Sequence, residues 1–192
     1  MSAETIAERR PFVFDSPDGF GIVSRALHWG MAALFAWQFT SAALRALAPD
    51  SAARTFFWAY HVDIGATIFV LAIARGLWGL LNAPHRPAEG DSTFERIAAQ
   101  FGQLALHALM IVVPLLAILR SIGNDRAFTV WGVELVAAGG EKNAALVAAG
   151  NAAHGLLGWA LALLIAGHIV MALFHHLVRR DATLARMLGG PR

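Results

Sequence analysis

The sequence has no cysteine. That excludes a disulfide framework, a zinc–thiolate site, an iron–sulfur cluster and a thioether-linked c-type haem together, because each needs thiols. Charge is scarce as well. Asp, Glu, Lys and Arg make up 15% of the 192 residues, against about 25% in an ordinary soluble domain. The charges nearly cancel, 15 Lys+Arg against 13 Asp+Glu, and no Lys/Arg-rich run exists. A nucleic-acid footprint is therefore missing. Disorder is excluded too, since 57% of the residues are hydrophobic and disorder requires the opposite balance. No repeat or low-complexity segment is evident, and the length suits one unit.

What is present is apolar length. Four segments run over about 24–47, 57–81, 97–122 and 148–178. Each has roughly 20 residues or more, enough at about 1.5 Å per residue to span a hydrocarbon core of about 30 Å. Buried helices of a soluble protein would need polar elements to wrap them, and too little polar chain is left over. The expectation is an all-α, integral-membrane four-helix bundle occupying residues 24–178, with tails at 1–23 and 179–192. The first 20 residues, with Pro11, Asp15, Pro17 and Asp18, contain no apolar h-region, so the first segment is expected to stay as an anchor. The longest link, from Gly123 to Val147, carries Phe128 and Trp131 and reads as an interfacial stretch.

Four spans put both termini on one side. That side holds Arg9, Arg10, Arg25, Arg75, Arg86, Arg96, Arg179, Arg180, Arg186 and Arg192; the other holds Arg45, Arg54, Arg120, Arg126 and Lys142. Ten against five predicts that both termini are cytoplasmic.

Eight histidines occur, and His85, between Pro84 and Pro87, reads as solvated. Ionisable residues inside a membrane are costly and usually face the bundle interior. Depth sorts four of them: His28 and His168 fall in the cytoplasmic half, His61 and His154 in the outer half. His154 and His168 are 14 residues apart, which puts them on nearly one helix face about 21 Å apart along the axis. Two imidazoles from different helices, with no thiol or close carboxylate, supply zinc poorly. An iron porphyrin, ligated axially from opposite sides, suits them better. Gly65, Gly155, Gly158 and Gly167 leave room beside these histidines, although small residues also serve plain helix packing.

At this point the chain resembles the bacterial cytochrome b561 family, four-helix membrane cytochromes with two haems. The matching residues are Ser24-Arg25-Ala26-Leu27-His28-Trp29, His61-Val62-Asp63-Ile64-Gly65 and Arg75-Gly76-Leu77-Trp78. They continue with His154, His168, Ala172-Leu173-Phe174-His175-His176 and Asp181-Ala182-Thr183-Leu184-Ala185-Arg186-Met187. The resemblance implies two non-covalent haem b groups, with His28 and His168 as iron ligands on the cytoplasmic side and His61 and His154 on the periplasmic side. One pattern departs from the family, which carries a histidine near the start of the third helix and an aromatic four residues later. Here these positions read Gln103 and His107, so His107 is not carried over as a ligand. It is expected to hydrogen-bond within the bundle or to meet a porphyrin propionate.

The resemblance further implies electron transfer across the bilayer to or from ubiquinone. One branch of the family oxidises superoxide at the periplasmic face, an anion that the outer cations would attract. His175 lies two helical turns after His168 on the same face and is the candidate quinone or proton-relay residue. Arg75 is a second candidate for the quinone, and Asp63 is expected to pair with Arg54 or Arg120. The competing reading is a membrane-anchor cytochrome b subunit that passes electrons between a partner dehydrogenase or hydrogenase and the quinone pool. Membrane lipids are expected neighbours, and a partner protein or a homo-oligomer fits either reading. A transporter with histidines in a proton path would be colourless.

Overall fold

The computed structural model describes residues 13–86 and 92–189. The positions of Arg9, Arg10, Pro11, Pro87 and Arg192, used above, lie outside them. Four long helices dominate: α1 (Ile22–Leu47), α3 (His61–Asn82), α4 (Thr93–Gly123) and α5 (Ala144–Phe174). Between them stand α2 (Ala52–Ala59), a 3-10 turn at Ala83–His85, strands β1 (Phe128–Val130) and β2 (Val133–Val136), and a last helix α6 (Thr183–Leu188).

The helix starts follow local chemistry. Ser51 accepts the Arg54 N–H at 3.1 Å to open α2. Ser92 and Glu95 exchange side-chain and backbone bonds in a capping box at α4, and Asn143 accepts from Ala145 and Leu146 at α5. The second apolar segment is two helices rather than one. Residues Phe57–Ala59 belong to α2, and the chain turns at Tyr60 before α3 begins at His61. Hydropathy is blind to this break because the apolar run continues through it.

The description all-α needs one amendment, the antiparallel hairpin β1–β2 inside the long link. Its turn is Trp131-Gly132, with φ of 49° and 80°, the two positive values that a tight hairpin turn requires. A left-handed conformation at a bulky residue costs on the order of 1–3 kcal/mol. Two hydrogen bonds, each contributing about 1 kcal/mol, work against that cost. The Trp131 N–H donates to Asp63 Oδ1 at 2.7 Å, and its indole Nε1–H donates to Thr67 Oγ1 at 3.0 Å. Asp63 thus clamps the hairpin to α3 and does not pair with Arg54 or Arg120 as expected.

Three helical stretches, His61–His85, Thr93–Gly123 and Ala144–Arg179, are long and apolar enough to cross a membrane. The 26 residues of α1 match them in length but include Arg25, His28, Gln38 and Arg45. The core is small: Met31 and Phe35 of α1, Ile64, Ile68 and Ala72 of α3, Leu106 of α4 and Leu161 of α5. Outward faces carry Val70, Leu104, Leu163 and Val170, all exposed. A solvent of lipid explains an apolar exterior that water would penalise.

Helices α1 and α3 pack together, as do α3 with α4 and α4 with α5. Among the described residues α5 does not pack closely on α1 or on α3. At one end of the bundle, the tail end, α6 is tied to α1: Arg25 donates to the Leu188 carbonyl and Trp29 Nε1 to that of Met187. Buried Asp15 fastens the N-terminal arm there, accepting from Gly21 N–H at 2.9 Å and from Arg86 Nε at 3.3 Å. The opposite end carries α2 and the hairpin.

Candidate functional site

The two loosely packed helix pairs are the ones bridged by imidazoles. His28 of α1 faces His168 of α5 at the tail end, ring centres 6.1 Å apart. His61 of α3 faces His154 of α5 at the hairpin end, 6.4 Å apart. The ligand chemistry can be tested on these separations. Two metal–imidazole bonds of about 2 Å, with each ring centre about 1 Å behind its nitrogen, set centres about 6 Å apart. Both pairs have that spacing, and both sit where the backbones of α1 and α3 stand away from α5.

The hydrogen bonds around the hairpin-end pair select one tautomer. Ser41, fully buried, donates its hydroxyl to the Gln38 carbonyl at 2.7 Å and faces His61 Nδ1 at 2.7 Å. With its proton spent on the carbonyl, the Ser41 oxygen can only accept, so His61 carries its proton on Nδ1. The Gln38 amide N–H points at His61 Nε2 at 3.2 Å, which agrees, since that nitrogen must then offer a lone pair. His154 donates its Nδ1–H to the Val113 carbonyl at 2.9 Å. Both rings keep their lone pair on Nε2, which on His61 accepts from the Gln38 amide, and a histidine that gives its Nδ1–H to a protein acceptor is the usual form that binds metal through Nε2. Gln38 Oε1 is buried and has no hydrogen-bond partner among the described residues. An orphaned polar atom beside a ligand nitrogen fits a site completed by another group.

The tail-end pair is arranged differently. The Arg75 guanidinium donates to His28 Nδ1 at 3.2 Å. Arginine has no acceptor capacity, so His28 Nδ1 presents a lone pair there and the neutral ring carries its proton on Nε2, the reverse of His61; ligation through Nε2 requires that proton to move to Nδ1 and Arg75 to turn aside. Trp29 meets the His28 ring edge-on, centres 5.2 Å apart.

Space beside the rings differs from glycine to glycine. A Cβ at Gly155 or Gly167 would meet nothing within 4 Å, and one at Gly158 would only graze Val113. At Gly65 the room is taken by the Gln38 amide. The notch at Gly76 holds His107, whose Nε2 would lie 2.6 Å from an added Cβ. His107 therefore serves the α3–α4 contact in this structure. Among the described residues no cluster of three metal-ligating side chains occurs.

Among the hairpin-end cations, Arg45 reaches toward His61 through a ring. Its guanidinium lies 4.1 Å over Trp58, which stacks on His61 with centres 4.3 Å apart. An open apolar groove of about 300 Å³ runs between α3 and the hairpin, lined by Val70, Leu71 and Trp131 among others, away from both imidazole pairs.

At the tail end His175 points its Nδ1 at Asp181 Oδ2, 2.5 Å away. Partial burial works against ionisation of Asp181. The hydrogen bonds from His175 and Thr183 outweigh it and hold the carboxyl down at about 2. Sequence reasoning singled out His175 by helical period and Asp181 only as part of the matching C-terminal motif, without pairing the two, and it missed Ser41 and Gln38. The spacing Ser41–His61 spans two helices and leaves no periodic trace, and Asp181 lies beyond the end of α5.

The family model described as prokaryotic cytochrome b561 matches residues 19–190. The chain is 30% identical over 190 residues to "Cytochrome b561 homolog 2" of Escherichia coli, covering 91% of this chain and 94% of that one. It is 28% identical over 176 residues to "Cytochrome b562" of Cereibacter sphaeroides, covering 88% and 95% respectively. The chain belongs to the prokaryotic cytochrome b561 family, helical membrane cytochromes whose b-type haem chemistry implies electron transfer.

Proposed function

We propose that this chain is a four-span, di-haem conduit that moves electrons between the two faces of the bacterial inner membrane and exchanges them with ubiquinone. In this reading α1 is the fourth span beside the three apolar candidates, and residues 24–178 form one cytochrome domain. The tails at 1–23 and 179–192 lie in the cytoplasm, so the tail end is the cytoplasmic one and the hairpin end the periplasmic one. His28 and His168 would hold one haem, His61 and His154 the other. Bound there, each iron would supply a one-electron site.

The observation that carries the reading is the pair of facing imidazole couples, each bridging helices whose backbones do not come close. Along α5 the two ligands are about 21 Å apart, a stack of two sites spanning the membrane. Ser41 and the Val113 carbonyl fix the ligand tautomer at one end. At the other, His175 and Arg75 are the candidate ubiquinone contacts, two helical turns from His168 and in direct contact with His28 respectively. Superoxide is the proposed periplasmic donor, drawn by Arg45 and the neighbouring cations.

The test is a dithionite-reduced minus oxidised spectrum of the purified protein with haem quantitation. Two haems per chain are expected. One haem per chain overturns the two-site reading, and colourless protein overturns the haem reading altogether.

A further inference from the structure

The C-terminal end of α5 continues past Phe174 as a single π-helical turn, His175–Arg179, a feature often found at functional positions. Arg180 then adopts a left-handed conformation, φ 56° and ψ 34°, and reverses the chain. The Asp181 N–H returns to the His175 carbonyl at 3.2 Å, and the Asp181 carboxylate lands beneath the His175 ring. One oxygen, Oδ2, takes His175 Nδ1; the other, Oδ1, accepts the Thr183 N–H at 2.9 Å and starts α6. The His175 side chain is 22% exposed and that of Asp181 37%, so the couple sits at the membrane boundary rather than in the core. Neighbouring charges are already engaged: Arg179 donates to Glu95 of α4 at 2.9 Å, and Arg25 to the Leu188 carbonyl.

We propose that Asp181 is the positioning partner of His175, holding the Nδ1 edge of the ring so that Nε2 is presented as the proton donor to a quinone oxygen. The inference rests on the reading that quinone is reduced at the tail end.

A quinone takes up two electrons and two protons to become a quinol. The electrons arrive singly from the His28–His168 site. His175, doubly protonated, gives its Nε2 proton to one quinone oxygen: the N–H bond breaks and an O–H bond forms. The ring becomes neutral and keeps its Nδ1–H on Asp181, whose negative charge balanced the doubly protonated form. Water at the cytoplasmic surface supplies the second quinone proton and restores the proton on Nε2. A carboxylate behind a histidine, fixing its tautomer and orientation, is the general arrangement for such proton transfer. The reversal at Arg180 explains the geometry, since a straight helix would carry residue 181 a turn and a half away from residue 175.

The experiment uses haem-loaded protein, reduced beforehand and mixed rapidly with a ubiquinone analogue bearing one isoprenoid unit, with haem reoxidation followed optically. Ferricyanide, which takes electrons without protons, is the second acceptor. His175→Ala and Asp181→Asn are both expected to slow reoxidation by the ubiquinone analogue about tenfold or more while reoxidation by ferricyanide stays at the wild-type rate. Asp181→Glu is expected to restore part of the loss. Nitrogen-15 histidine NMR, with the His175 signal assigned from the His175→Ala spectrum, should show a hydrogen-bonded Nδ1–H in wild type whether or not Nε2 is protonated, and its loss in Asp181→Asn. Wild-type quinone kinetics in Asp181→Asn overturn the inference, as does equal slowing with both acceptors, which marks a structural role alone. If His175→Ala itself reacts with the ubiquinone analogue at the wild-type rate, the quinone-site reading fails and the inference falls with it.

Discussion

The two ends of the bundle hold similar imidazole couples in unlike surroundings. At the hairpin end, Ser41 and the Val113 carbonyl accept Nδ1 protons, so His61 and His154 enter as preset neutral donors. At the tail end, Arg75 places a cation on His28 Nδ1, and the C-terminal hook closes over α1 through Arg25 and Trp29. The lesson is that ligand identity and spacing do not set a site's electronic character. The atoms behind the ligands do. Acceptors behind an imidazole make it a better donor to a metal, whereas a fixed positive charge favours whichever state of the centre carries less positive charge. On the proposed reading the tail-end haem is therefore the easier to reduce, and electrons run downhill from the hairpin end to the tail end.

The sharpest break between the two ends comes from removing the proposed ligands. His154→Ala is expected to cost the hairpin-end haem alone and His168→Ala the tail-end haem alone. Each variant should halve the haem-to-protein ratio and leave the spectrum of the surviving centre intact. Loss of both haems from either variant would erase the distinction.

A smaller effect is expected one atom further out. Ser41→Ala removes the acceptor behind His61 and should weaken haem retention at the hairpin end about 10- to 100-fold. Retention at the tail end should not change, as read from haem loss to a scavenging apoprotein. Arg75→Gln should lower the midpoint potential of the tail-end haem by on the order of 60 mV, the one-electron equivalent of a tenfold shift. The hairpin-end potential should stay put in the same titration, and Arg75→Lys should keep most of the wild-type value. Smallest of all, Asp63→Asn weakens the clamp on Trp131 by about 1 kcal/mol. Limited proteolysis of the hairpin should speed up while both haem spectra stay unchanged.

How much of this was legible in the sequence follows from the kind of information each feature carries. Apolar length and a rotation of about 100° per residue bear on which histidines share an end and a face, because both properties are local to one helix. The break at Tyr60 was not legible, since the apolar run crosses it without a glycine or proline signal. The hairpin was hidden for a related reason: its turn puts a tryptophan where glycine or asparagine is usual, and the compensation comes from Asp63 and Thr67 on another element. Ser41, Gln38 and the pairing of Asp181 with His175 became visible only once separate helices and the reversal at Arg180 had been brought together. The charge of Asp63 suggested an arginine partner, yet a backbone N–H held in a strained turn supplied the stronger demand for an acceptor.

The central claim, two centres each gripped by imidazoles from opposite sides, is tested most directly by low-temperature electron paramagnetic resonance of the oxidised protein. The account predicts two distinct low-spin ferric signals, one abolished by His61→Ala or His154→Ala and the other by His28→Ala or His168→Ala. A single low-spin signal, a high-spin signal in the wild type, or loss of signals in any other pairing would contradict it.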